Sequence, residues 1–185
     1  MKTKLQTLLF TGLFSAICAF APAAEPPKVG DAAPDFTLKT LDDTAVSLSQ
    51  ETAKRPVVLV VLRGWPGYQC PLCTRQVHEF VQQAKSLSDK ARVLMVYPGP
   101  ADNLKAHADE FLRDKQWPKA FLFVTDPDYV FTKAYGLRWE AKGETAYPST
   151  FIVDKKGKVR FAKISKNHGG RSSAAEVAKA LEAIK

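Results

Sequence analysis

The chain has 185 residues, 45% of them hydrophobic, and a formal net charge of +8 at neutral pH. That length and apolar share suit one globular domain with a real core, and they exclude a disordered or repetitive architecture. The cations are scattered among acids, as in Lys105, Asp109, Glu110, Arg113, Asp114 and Lys115, so they form a solvated surface and no nucleic acid partner is expected.

The chain begins with the pattern of an export signal. Lys2 and Lys4 give a basic start, residues 5–20 are mostly apolar, and Ala21-Pro22-Ala23 offers small residues for cleavage. Residues 1–23 are therefore expected to be a signal peptide and residues 24–185 the mature domain, in the periplasm or an otherwise exported location. The apolar run is short and broken by Gln6, Thr7 and Thr11, which argues against membrane insertion after cleavage. Cleavage removes two lysines, lowering the formal charge to +6, and it removes Cys18. Cys70 and Cys73 are then the remaining thiols in an oxidising compartment.

Residues 29–38 read as an extended leading segment, and Ala45-Val46-Ser47-Leu48 as a short strand after the turn at Asp42-Asp43. Residues 57–62 are a continuous apolar run, the pattern of a central strand covered on both faces. Past the cysteines, Val77, Phe80, Val81, Ala84 and Leu87 recur at helical spacing, which predicts one helix with one core face. A buried strand at residues 92–97 precedes a helix at 102–115 with Leu104, Ala108, Phe111 and Leu112 on one side. A strand at 120–124 and a short helix at 129–135 closed by Gly136 follow. Strands at 150–153 and 159–164 are joined by the hairpin turn Asp154-Lys155-Lys156-Gly157. Ser173-Ala174-Ala175-Glu176 is a capping box that opens a last helix running to about residue 185. The early alternation of strand and helix implies parallel strands with right-handed crossovers, and the late hairpin adds antiparallel strands at an edge. The expected class is α/β, a central mixed β-sheet flanked by helices on both faces.

Cys70-Pro71-Leu72-Cys73 carries the chemistry. It places two thiols one helical turn apart where a strand gives way to a helix, so unpaired backbone N–H groups and the helix dipole can stabilise a thiolate at Cys70. Residues three apart lie on one helix face, so the two sulfurs can close a disulfide with little backbone movement. His78, eight residues beyond Cys70, is expected on the surface, and His168 lies in the loop Asn167-His168-Gly169-Gly170. Two cysteines and dispersed histidines fall short of a zinc set, and no phosphate loop or nucleotide fingerprint is present, so no metal and no cofactor are expected.

These elements and motifs resemble the thioredoxin-like superfamily, and within it the alkyl hydroperoxide reductase/thiol-specific antioxidant group of redoxins and peroxiredoxin-like proteins. The likeness rests on Gly30 through Leu38, the Cys70-x-x-Cys73 site, Tyr147-Pro148-Ser149-Thr150-Phe151-Ile152-Val153-Asp154 and the Gly157 turn. It implies a thioredoxin-like fold and a thiol oxidoreductase. It also implies a cis peptide at Pro148 facing the cysteines, and a substrate-docking surface of Trp65, Pro66 and the exposed backbone of Tyr147.

On the principal reading the protein is an exported thiol-disulfide oxidoreductase serving redox homeostasis. Cys70 attacks and Cys73 resolves, with a protein disulfide or dithiol as redox partner. The alternative is an antioxidant thiol peroxidase, for which Pro66-Gly67-Tyr68-Gln69-Cys70-Pro71-Leu72-Cys73 resembles the group's Pro-x-x-x-Thr-x-x-Cys. Cys73 would then react with peroxide while Cys70 occupies the threonine's place. Two departures weigh on that alternative: the threonine is missing, and Pro148 stands where the group's arginine would be. Gln69 likewise replaces the tryptophan of thioredoxins. Arg63 and Arg75 offer positive charge nearby but are expected to pair with surface acids. A binding module with a structural disulfide is the third reading, weakened because so short a loop removes little chain entropy.

Overall fold

Five consecutive residues, Val57–Val61, are fully buried, as β-branched side chains are when a strand is covered on both sides. The computed structural model describes residues 24–184, so the expected export signal with Cys18, and Lys185, lie outside the described residues. In chain order the elements are β1 (Thr37–Thr40), β2 (Ala45–Ser47), α1 (Leu48–Lys54), β3 (Val57–Val61), α2 (Pro71–Gln82), α3 (Ala84–Lys90) and β4 (Arg92–Gly99). They continue with α4 (Leu104–Leu112), β5 (Phe121–Pro127), α5 (Val130–Ala134), β6 (Ser149–Val153), β7 (Val159–Ile164) and α6 (Ala174–Glu182).

The sheet has seven strands in the order β2-β1-β5-β4-β3-β6-β7. Strands β3, β4 and β5 run parallel. The hairpin β6–β7 joins β3 antiparallel at one side, and β1–β2 joins β5 antiparallel at the other. The two-residue period of β3 divides the core between the faces. Val58, Val60 and Leu62 pack with Cys73, Phe80, Leu87, Val177 and Leu181, while Val57, Leu59 and Val61 pack with Leu48, Phe131 and Tyr135. This is the expected thioredoxin-like α/β architecture.

Three local features depart from the sequence reading. Leu48, read as a strand residue, opens α1 instead, and that helix buries Leu48, Glu51 and Thr52; Glu51 is held there by Lys54 and Arg92. The single helix expected after the cysteines breaks at Gln83 (φ −101°, ψ 16°) into α2 and α3. Its apolar spacing runs through the break, so periodicity alone does not register it. The capping box is half made: Ser173 Oγ accepts the Glu176 N–H at 3.1 Å, but the Glu176 carboxylate is bonded to Lys163.

The turn into the site depends on Gly64, which has φ +74° just beyond β3. A side-chain carbon there would lie 1.8 Å from the Pro98 carbonyl oxygen, the same oxygen that accepts the Trp65 N–H at 2.9 Å. Left-handed backbone costs a non-glycine residue about 1–3 kcal/mol even without a clash, so Gly64→Ala is expected to destabilise the domain by more than that. A denaturant midpoint unchanged from wild type would contradict this close approach.

Candidate active site

Cys70 is the N-cap of α2, and Pro71 occupies the first helical position, where a missing N–H costs nothing. The loop that delivers it is tethered on several sides. Gln69 donates to the His107 carbonyl at 2.8 Å and to the Glu110 carboxylate at 3.2 Å, and it accepts the Tyr97 hydroxyl at 2.9 Å. Trp65 lies flat on His107, ring centres 3.6 Å apart. Gln69, standing where thioredoxins carry tryptophan, thus joins the cysteine loop to α4 and β4.

Both cysteines are free thiols and both are buried, Cys70 at 3% exposure and Cys73 at 0%. The neighbouring Cys73 thiol holds the Cys70 pKa down at about 5, against the opposing effect of burial. The Leu72 and Cys73 N–H groups and the charge of Arg171 add to the effect, though neither N–H makes a close cap hydrogen bond. Burial and the neighbouring sulfur push Cys73 well above the ordinary thiol range. At neutral pH the pair therefore holds one thiolate, at Cys70, and one thiol, at Cys73. In the sequence alternative the peroxide-reacting group is Cys73, the more enclosed of the two sulfurs and the nearer to Arg171.

The cation comes from a residue the sequence reading passed over. Arg171 Nη1 lies 3.5 Å from Cys73 Sγ and Nη2 lies 3.9 Å from Cys70 Sγ. Its orientation is set by Gln76 Oε1 at 3.0 Å from Nη1 and by the His168 carbonyl at 3.0 Å from Nε. Arg171 is 98 residues beyond Cys73, in the loop just after Gly169-Gly170. Only its place beside the His168 loop, leading into a helix that must pack on the sheet, hinted at a role.

The other candidates are placed as follows. Arg63 is not paired at the surface but buried at 3% exposure. It holds Glu144 at 2.8 Å and also bonds Gly143 and Tyr68. The second Glu144 oxygen meets His168 Nε2 at 3.0 Å. The Arg63 side chain thus ties the 143–147 segment to the cysteine loop, while its backbone N–H faces the Cys73 sulfur. Arg75 is exposed and makes no ion pair among the described residues. His78 is exposed and bonded to Gln82.

The peptide before Pro148 is trans, not cis. Trans is the lower form of an X–Pro bond by roughly 0.5–1 kcal/mol, and the chain on both sides is already bonded in an extended course into β6. Tyr147 N–H donates to the Leu137 carbonyl at 2.9 Å and its carbonyl accepts Ser149 Oγ at 2.8 Å, so the backbone edge expected to dock a substrate is occupied. The Tyr147 ring stacks on Trp139, and Trp65 and Pro66 are half-buried. No group of three or more His, Cys, Asp or Glu side chains is placed to hold a metal among the described residues.

A family model described as Redoxin matches residues 28–181. The chain is 29% identical over 166 residues to the chloroplast peroxiredoxin Q of Triticum aestivum, covering 82% of this chain and 72% of the relative. It spans 57% of the length of the Oryza sativa subsp. japonica counterpart. It is 30% identical over 157 residues to the thiol peroxidase of Bacillus subtilis, covering 83% of this chain and 88% of the relative. The crystal structure of peroxidoxin BcpB from Mycobacterium tuberculosis superposes with a TM-score of 0.65 at 24% identity, covering 86% of this chain and 99% of that one.

The geometry orders the contributions to the Cys70 thiolate. Cys73→Ala is expected to slow iodoacetamide alkylation of Cys70 below neutral pH more than Arg171→Gln does, because the Cys73 thiol is the larger of the two effects. Both variants should approach the wild-type rate in alkali, where the thiolate forms regardless. Alkylation in acid unchanged by either substitution would contradict the arrangement.

Proposed function

The chain belongs to the redoxin family and is an oxidoreductase, and on that premise we propose that it is a thiol peroxidase whose peroxide-reacting group is Cys70. The observation that carries the reading is the division of labour between the sulfurs: Cys70 at the start of α2 with Arg171 at 3.9 Å and its pKa held down, and one turn on the more deeply buried Cys73 thiol with its pKa pushed up. Peroxidases at about 30% identity over most of the chain support it.

The chemistry follows from those positions. The Cys70 thiolate attacks the outer peroxide oxygen; the S–O bond forms, the O–O bond breaks, and the departing oxygen takes up a proton to leave as water or an alcohol. The Arg171 guanidinium lies close enough to offset negative charge on the sulfur and on the departing oxygen. Cys73 then attacks the Cys70 sulfenic acid, the S–S bond forms, and water leaves. An external thiol partner returns the two electrons.

One observation favours a second reading, that of a thiol-disulfide oxidoreductase acting on protein disulfides. Among the described residues no serine or threonine hydroxyl is bonded to either sulfur, so the hydroxyl that orients peroxide in the resembling group has no counterpart. On either reading we place the mature domain, residues 24–185, outside the cytoplasm. The basic, apolar and small-residue pattern of residues 1–23 supports this.

The deciding experiment is the second-order loss of thiols from the reduced mature protein on mixing with hydrogen peroxide. The peroxidase reading expects a rate orders of magnitude above free cysteine. Cys70→Ser should abolish it, while Cys73→Ser should retain a single turnover that stalls at a trappable sulfenic acid. A rate like that of free cysteine, together with fast Cys70-dependent exchange against protein disulfides, would establish the second reading instead.

A further inference from the structure

Beside the thiols, α2 and the loop leading to α6 enclose a recess of about 120 Å³ bounded by Arg75, Gln76, Glu79, His168 and Arg171. That is well above the roughly 10–15 Å³ that admits a single water, and enough for a carboxylate. Two of its walls are arginines, and among the described residues neither has a carboxylate within ion-pair distance, as is also true of Arg55 and Arg113, whereas Arg63, Arg92, Arg138 and Arg160 are paired. Glu79 is the single acid of the recess.

In the reduced protein the charge that balances Arg171 is the Cys70 thiolate, 3.9 Å from Nη2. A Cys70–Cys73 disulfide is neutral. Oxidation therefore removes the charge that faces Arg171 and leaves two arginines, Arg171 and Arg75, against one carboxylate, Glu79, in the recess. We propose that in the disulfide form this recess binds the carboxylate of a small anionic thiol, the reductant that restores the dithiol. The proposal rests on the dithiol/disulfide cycle common to both functional readings.

The reduction step balances as two displacements. The donor thiolate attacks Cys70, the less enclosed of the two sulfurs; the donor–Cys70 bond forms, the Cys70–Cys73 bond breaks, and Cys73 leaves with the electron pair and takes up a proton. A second donor thiolate displaces Cys70 and leaves as the donor disulfide. The thiolate that reappears beside Arg171 competes with the bound carboxylate, so product leaves as the site is restored.

The test uses the mature protein oxidised to its intramolecular disulfide and three thiol probes: mercaptopropionate (anionic), mercaptoethanol (neutral) and cysteamine (cationic). Reduction rates are divided by the concentration of each probe's thiolate and by that thiolate's rate with a neutral small-molecule disulfide, because nucleophilicity itself rises with thiol pKa. The expected order is anionic, neutral, cationic, with roughly a tenfold spread at low salt, the scale of one or two partly screened charge pairs. High salt should collapse the spread. Arg75→Gln should narrow it, and Arg113→Gln, an exposed arginine outside the recess, should leave it intact. Equal normalised rates for the three probes, or a spread untouched by Arg75→Gln, would overturn the recess as a carboxylate site while leaving the peroxide rate, and the function read from it, standing. A wild-type protein that forms no intramolecular disulfide would overturn the dithiol cycle and the recess with it.

Discussion

Two buried sulfurs one helical turn apart cannot both carry charge, and this constraint organises the site. Removing a thiolate from water is costly unless hydrogen bonds and a nearby cation replace the lost solvation. At Cys70 they do: the Cys73 thiol, the N–H groups opening α2 and Arg171 all favour the ionised form. Cys73, fully enclosed and next to that charge, is kept protonated by its burial and by the Cys70 sulfur, against the pull of Arg171. The reactive partner is thus selected by depth along one helix turn, and the second thiol is held protonated one turn away, in the position from which it can later close a disulfide.

Most of the surrounding structure holds that turn in place. β3 buries both of its faces and leads to Gly64, where the backbone of β4 approaches too closely for a side chain. Gln69 and Trp65 tie the next residues to β4 and α4. On the opposite side Arg63 and His168 share the two oxygens of Glu144, joining the cysteine loop, the 143–147 segment and the loop before α6. Arg171 is carried by that last loop, so three chain segments distant in sequence must dock correctly before the cation reaches the thiols. Positioning of this kind depends on tertiary packing, because the loops have no helix or strand of their own to fix them.

What could be read from the amino-acid sequence was set by physical range. Periodicity resolved the strand at residues 57–62, the helix face of Val77 and Phe80, and the β6–β7 hairpin, since each is written within one short stretch of neighbouring residues. The adjacent cysteines were legible for the same reason. Periodicity failed at Gln83, where the apolar spacing survives the break, and at α1, whose seven residues hold too little pattern to separate from a strand end. It could not find Arg171 at all. The expectation that Arg63 would sit at the surface failed because its partner, Glu144, lies 81 residues away. The expected cis bond at Pro148 came from likeness to a family and not from local residues, and the trans bond is what the flanking hydrogen bonds accommodate.

The central claim is that a single charge resides on Cys70 and that Cys73 stays protonated. Its most direct test is a carbon NMR titration of the reduced mature protein labelled at the cysteine β-carbons, with the two signals assigned from single-site variants. The account predicts that the Cys70 signal moves with a midpoint near 5, while Cys73 remains in its thiol form past the ordinary thiol range. Two signals titrating together in the ordinary range, or Cys73 ionising first, would contradict it.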